Sequence, residues 1–152
     1  MAVTVEQIKN LREKTGLGIH DVKYALEEAN GDEAKALEIL KEKGLSTVAK
    51  KSSRSTNQGL IDTYIHGAGR IGAMVEVNCE TDFVARTDDF KTFVHEVALQ
   101  VASMNPENVD ELLEQPYFRE PDKTVKDLLN GIIAKLGENM KIGRFIRFEL
   151  GE

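Results

Sequence analysis

The sequence predicts an α+β protein: an N-terminal module of three short helices, then a small three-stranded antiparallel sheet with helices packed on one face. Three observations carry that reading. Apolar residues recur at helical spacing through residues 4–43. The period then switches to two from Leu60 to Cys79, and again over 140–150. Two longer segments, around Phe90 and Val125, repeat apolar residues at i, i+3, i+4 and i+7. An antiparallel sheet of this size needs apolar cover on one face, and two amphipathic helices supply it.

Each element has its own signal. Thr4-Val5-Glu6-Gln7 fits a capping box, with Val5, Ile8 and Leu11 following at three-residue steps. Thr15-Gly16-Leu17-Gly18 interrupts that helix, because two glycines in three residues favour a tight turn. The second helix carries Val22, Ala25, Leu26 and Ala29, and Asn30-Gly31-Asp32 supplies its stop and the next N-cap. The third presents Ala36, Leu37 and Leu40 and is expected to stop at Gly44. Residues 44–57 hold three bases, no acid and little apolar periodicity, which reads as a connecting segment. The expected organisation is therefore a three-helix module over 1–44, a basic linker over 45–57 and an α+β core over 58–152. In that core Ile71, Ala73, Val75, Val77 and Cys79 share one strand face, and residues 66–70 close a hairpin. Phe90, Phe93, Val94, Val97, Ala98 and Val101 define one helix, with Asp88 and Asp89 suited to its positive end. Residues 105–123, which hold all three prolines, are expected to be irregular. Thr124 and Gly137 bracket the last helix, and MKIGRFIRFEL forms the third strand.

Composition excludes several function classes. The chain has 152 residues, 41% hydrophobic and 30% charged, with a net charge of −6. That balance allows a real core but argues against direct nucleic-acid binding, since phosphate contacts need clustered Lys and Arg. One cysteine rules out an internal disulfide frame and a multi-cysteine zinc site. The N-terminal residues lack a basic-then-apolar leader, and no apolar run approaches the roughly 20 residues of a membrane span. The expectation is a soluble, cytoplasmic protein without cofactor or metal.

Few residues point to bond chemistry. Gly67-Ala68-Gly69-Arg70-Ile71-Gly72 spells G-x-G-x-x-G, but a dinucleotide site needs a helix after it, and AMVEVNC is strand-like. The motif is a turn. Cys79 has no neighbouring base and reads as a buried structural thiol. His20 opens the second helix, His66 stands at the hairpin tip and His95 lies on a helix flank, so no catalytic set emerges. The unusual stretch is Glu76 to Arg86, where a strand ends in Thr81-Asp82 and Phe83-Val84 follow before the next helix. Packed inward, that pair is an ordinary connection; projecting, it is an acid–aromatic anchor of the kind that dominates interfaces.

The stretches LREKTGLGIHDVKYAL (Leu11 to Leu26) and EVNCETDFVAR (Glu76 to Arg86) closely resemble the two signature segments of the elongation factor Ts family, the nucleotide exchange factors of elongation factor Tu. The second matches almost residue for residue. The first departs from the usual Met-Met-Asp-Cys-Lys, here Ile19-His20-Asp21-Val22-Lys23. The ending GENMKIGRFIRFEL extends the resemblance over nearly the whole chain. Larger members carry two related core halves, whereas this chain has one sheet-and-helix unit. Its segment from Tyr64 to Gly72 resembles the second half, and Asp82-Phe83 the first.

The resemblance implies a UBA-like helical module that grips the G domain of elongation factor Tu through Arg12, Ile19 and His20. It implies that Asp82, Phe83 and Val84 wedge near the magnesium and phosphate site. Short members of the family are dimeric, so a homodimer is expected, with His66 of the opposite subunit on another domain of the partner. The protein would then promote GDP release without making or breaking covalent bonds, and so would not be an enzyme in that sense. Two other readings remain open at this point: a non-catalytic interaction module built on the UBA-like helices, and a nicotinamide-dependent enzyme based on the glycine pattern.

Overall fold

Thr4 opens the first helix as its sequence context predicts. In the computed structural model, which describes residues 2–152, its hydroxyl accepts from Gln7 N–H (3.2 Å) while the Gln7 side chain accepts from Thr4 N–H (2.9 Å). That closed capping box heads α1 (Val5–Thr15), and Gly16 ends it at φ 68°. Helices α2 (Ile19–Glu28) and α3 (Glu33–Lys51) follow, separated by Asn30 and Gly31 at positive φ; Asp32 caps α3 by accepting from Lys35 N–H (3.1 Å). Leu11, Val22, Leu26, Ala36 and Leu40 meet in one buried cluster. Burying a Leu or Val side chain contributes about 1.5–3 kcal/mol, so these few residues carry much of the module's stability. The chain divides into two compact units, one ending at Lys50 and the other running over Lys51–Glu152.

Three expectations for the helical module fail, each for a definite reason. Leu37, one step of about 100° round the helix from the buried Ala36, is 40% exposed on the flank of α3. Val5 is 84% exposed instead of sharing the Leu11 face. Three-residue steps fall about 60° short of a full turn each time, so two of them carry Val5 roughly 120° away from Leu11. Helix α3 does not stop at Gly44 but continues to Lys51, across residues read as linker. Gly44 is not among the glycines with positive φ, so it forms no left-handed stop. Glycine inside a helix weakens it by only about 1 kcal/mol, which neighbouring helical residues can offset.

The second unit is built on β1 (Gln58–His66) and β2 (Ile71–Cys79), paired antiparallel from Gln58↔Cys79 to His66↔Ile71. Gly67, Ala68 and Gly69 all have positive φ in the connecting turn, and β2 continues directly from it. The G-x-G-x-x-G stretch therefore has no helix to receive a pyrophosphate. After β2 come α4 (Asp82–Ala85) and α5 (Asp88–Met104). Helix α5 packs on the sheet face formed by Ala73, Val75, Val77 and Cys79, burying Phe90, Val94, Val97 and Val101.

Residues 105–123 are more ordered than their prolines suggest. They form α6 (Val109–Glu114), capped by Asn108, and a short hairpin of β3 (Pro116–Tyr117) and β4 (Glu120–Thr124). Elements this short contain too few residues to show a period, and tertiary contacts hold them. The wholly buried Gln100 of α5 donates to Gln115 Oε1 (3.2 Å) and Pro116 O (3.0 Å), and accepts from Phe118 N–H (3.0 Å). Glu96 accepts from Tyr117 Oη (2.5 Å) and Arg119 Nε (2.7 Å). Burial pushes the Glu96 carboxyl up, but these bonds and the Arg119 charge outweigh it and hold it below the ordinary value.

Helix α7 (Val125–Leu136) has its own capping box at Thr124 and a left-handed Gly137 at its end. Strand β5 (Met140–Glu149) then pairs antiparallel with β2, giving the sheet order β1-β2-β5. Helices cover one face of this sheet. On the other, Ile61, Ile65, Met74, Ile146 and Phe148 are exposed.

Candidate functional site

Two groups of predicted residues lie in two separate units. In the first unit, Val5, Ile8, Lys9, Arg12, Glu13 and Ile19 line one open groove between α1 and the start of α2. Arg12 and Ile19 thus come together, Ile19 half exposed, and Arg12 Nε donates to Leu17 O (3.4 Å), which orients the guanidinium along the turn. His20, next to Ile19 in the first turn of α2, is exposed but not part of the groove lining. Gly18, which has no side chain, stands at the N-cap of α2 in an extended conformation (φ −64°, ψ 150°). An apolar floor with a cation on its rim suits an apolar side chain of a partner with an acid nearby.

In the second unit the chain leaves β2 at Cys79 and turns sharply into α4. Thr81 caps this one-turn helix by accepting from Val84 N–H (3.3 Å), and its own hydroxyl donates to Glu138 Oε2 (2.7 Å). Glu138 Oε1 accepts from both Glu80 N–H (3.2 Å) and Thr81 N–H (3.0 Å). Thr87 fastens the other end: its hydroxyl donates to Val84 O (2.8 Å) and accepts from Phe90 N–H (3.2 Å). Ala85 faces inward and is buried, so its neighbour two residues back faces out. Phe83 is 75% exposed. Asp82 is half-exposed and paired with Arg86 Nη2 (2.8 Å), and Val84 is partly buried. The acid–aromatic pair therefore projects.

Cys79 lies directly beneath this turn, its Sγ donating to Thr81 O (3.2 Å). Burial first, and then the Glu138 charge, push the thiol up to about 11. It is neutral at physiological pH and structural, as its isolation in the sequence predicts.

His66 does not join this group. It sits at the other end of the β1–β2 hairpin, paired with Ile71, whereas the Asp82 turn follows the Gln58–Cys79 end. Eight residues of strand separate those ends, roughly 26 Å. His66 is exposed and its Nδ1 is 2.8 Å from Tyr64 Oη. His95, on the flank of α5, is paired with Asp62 (Nδ1–Oδ2, 2.9 Å).

Sequence reasoning missed four contributors: Val5 and Ile8 of the groove, and Arg86 and Glu138 around the turn. Val5 and Ile8 read as core because a three-residue spacing mimics a buried face. Arg86 had a detectable signal, an i, i+4 acid–base pair with Asp82. Glu138 had none, since 57 residues separate it from Thr81. Among the described residues there is no group of three or more His, Cys, Asp or Glu able to hold a metal, and no helix is long and apolar enough to cross a membrane.

Comparison with known proteins identifies the family. The family model described as elongation factor TS matches residues 80–152, from the Asp82 turn to the end of the chain. An elongation factor Ts of Thermoanaerobacter sp. (strain X514) is 47% identical, the match covering 99% of this chain and 96% of the relative. Those of Caldanaerobacter subterraneus subsp. tengcongensis and Coprothermobacter proteolyticus are 46% and 44% identical, with 98% and 100% of the relative covered. The match to the first runs over 195 positions against 152 residues here, so the relative carries at least 43 positions that this chain lacks. The chain belongs to the elongation factor Ts family.

Proposed function

We propose that this protein is a translation elongation factor that binds elongation factor Tu in its GDP form and promotes GDP release, acting as a guanine nucleotide exchange factor and forming no covalent intermediate. The observation that carries the reading is Phe83, an aromatic ring 75% in water on a turn pinned at both ends. A side chain that fits only a distorted, nucleotide-poor G domain weakens nucleotide binding by the same factor that nucleotide weakens its own. Shifting such an equilibrium 10⁴-fold takes about 5.5 kcal/mol of preference. One well-buried aromatic anchor contributes about 2–4 kcal/mol, so Phe83 is not sufficient alone. Asp82 and Val84 beside it, and the groove holding Arg12 and Ile19 with His20 at its edge, supply the rest. The protein works in the cytoplasm, with no cofactor and no direct contact to nucleic acid.

The same reading makes the protein a homodimer. The uncovered sheet face sets Ile65, Gly72 and Phe148 in one row and Thr63, Met74 and Ile146 in the next, with Arg144 and Glu76 paired at its end (3.7 Å). A second copy is the occupant that fits. Two such faces stack as a two-layer sheet sandwich, and a two-fold axis can match each apolar row and each charge pair to its equivalent. A dimer also gives His66, remote from the Asp82 turn of its own subunit, a route to the same partner molecule.

Stopped-flow release of a fluorescent GDP from elongation factor Tu tests the wedge. Phe83→Ala is expected to keep the fold, because the ring packs against little of its own protein, and to slow catalysed release by at least about 30-fold, the equivalent of about 2 kcal/mol. An unchanged release rate overturns the reading.

A further inference from the structure

We propose that Glu138 is the positioning residue that holds the Asp82–Phe83 turn in its projecting conformation; the consequence for exchange rests on the function proposed above. Helix α4 has four residues, and its first backbone bonds, Ala85 N–H to Thr81 O (3.3 Å) and Arg86 N–H to Asp82 O (3.2 Å), are long. A single helical turn does not hold itself in water. Phe83, three-quarters exposed, adds no packing. The order must come from outside: Thr87 and the buried Ala85 hold the far end of the turn, and the carboxylate of Glu138 holds the end at which it leaves the strand.

That carboxylate takes three donors from two consecutive residues: Glu80 N–H, Thr81 N–H and the Thr81 hydroxyl. The third bond has a directional effect. With its proton committed to Glu138, the Thr81 oxygen presents a lone pair to Val84 N–H, which makes it an effective cap. Hydrogen bonds to an ionised acceptor are roughly twice as strong as neutral ones, so the arrangement suits a glutamate and not a glutamine. Glu138 is itself fixed by its neighbours. Gly137 ends α7 in the left-handed conformation, and Lys51 Nζ donates to its carbonyl. Asn139 N–H donates back to Glu80 Oε1 (2.7 Å), and Asn139 Nδ2 donates to Arg54 O (2.8 Å) and Ser52 O (3.3 Å). The bonds run both ways between 80–81 and 138–139, so the loop and the turn move as one body.

The test combines a readout without the partner and one with it. In the free protein, Glu138→Ala is expected to speed amide hydrogen exchange at Thr81 and Val84 by about tenfold or more while leaving Val94 and Val97 of α5 protected. In the exchange assay it lowers the maximal rate of GDP release by about tenfold and leaves the concentration of half-maximal effect within about twofold, because the groove of the first unit is untouched. Glu138→Gln keeps an acceptor for the two backbone donors and recovers part of the loss. In a Phe83→Ala background, Glu138→Ala has a smaller effect than in the wild type, since the ring is part of what Glu138 holds in place. Unchanged protection at Val84, or additive losses in the double variant, overturns the assignment of Glu138. A wild-type protein that leaves GDP release at its intrinsic rate overturns the exchange reading instead, and the amide measurement separates the two.

Discussion

Cys79 and Phe83 are four residues apart and have opposite fates. The strand puts Cys79 on the covered face, where burial raises its thiol from 9.0 to about 11. The sign of its effect on stability follows. An unfolded chain ionises the thiol near its ordinary value while the folded chain keeps it protonated, so the folded state loses stability as pH rises from about 9 through about 11. Below that window Cys79 contributes no pH dependence. At pH 8 the native thiol is expected to resist iodoacetamide, and the urea-unfolded chain to react rapidly. Mass spectrometry of the two samples checks it, and equal labelling would mean the turn above Cys79 opens readily. Phe83, by contrast, is exposed because Thr81 and Thr87 start two helices within a few residues and force the short α4 between them outward. In the sequence this stretch reads equally as an inward connection or a projecting anchor, and the caps that decide between them are seen only in the fold. The rigidity of the turn is not legible there either, because it depends on Glu138.

At the scale of elements, two glycines make opposite predictions. Gly131 lies inside α7 without positive φ, and an added methyl there meets nothing within 4 Å. Gly131→Ala should stabilise the fold by about 0.5–1 kcal/mol, raising the thermal midpoint by a few degrees. Gly59 opens the sheet at φ 149°, where a methyl would lie 2.0 Å from Val77 O and 2.8 Å from Asn78 Cα. Gly59→Ala forces apart the β1–β2 pair at the end that leads into the Asp82 turn, and a loss of more than about 2 kcal/mol is expected in urea denaturation. Neither outcome can be told from sequence, where both residues are glycines in regular elements. The long helices α5 and α7 were legible because their apolar periods run for three turns or more. The hairpin β3–β4 was not, since Gln100 and Glu96, distant in sequence, hold it in place.

For the molecule as a whole, the bare sheet face is the feature that bears on the oligomeric state. Ile61, Ile65, Met74, Ile146 and Phe148 are all exposed on one sheet face, and apolar residues grouped in this way mark an interaction surface. Phe148→Asp puts a charge on the edge-strand side of this face without touching α5 on the opposite one. Sedimentation should then give a monomer where the wild type gives a dimer, and circular dichroism should keep its helical signal. A wild type that sediments as a monomer at tens of micromolar rules out the dimer. The relatives matched carry at least 43 further positions, and the contact role proposed for the α1–α2 groove and the Asp82 turn is to be met by this shorter chain.

The sequence by itself determined most of the residues that turn inward in the sheet and in the long helices α5 and α7, where most helices begin and end, and which family the chain joins. Those properties are local: caps, glycine stops and apolar periods act over a few residues, and the signature around Asp82 is a contiguous stretch. Only the tertiary structure decided that Gln100 and Glu96 hold the β3–β4 hairpin and that Glu138 underpins a turn 57 residues upstream. Each depends on which distant surface arrives beside a residue, and no local pattern encodes that.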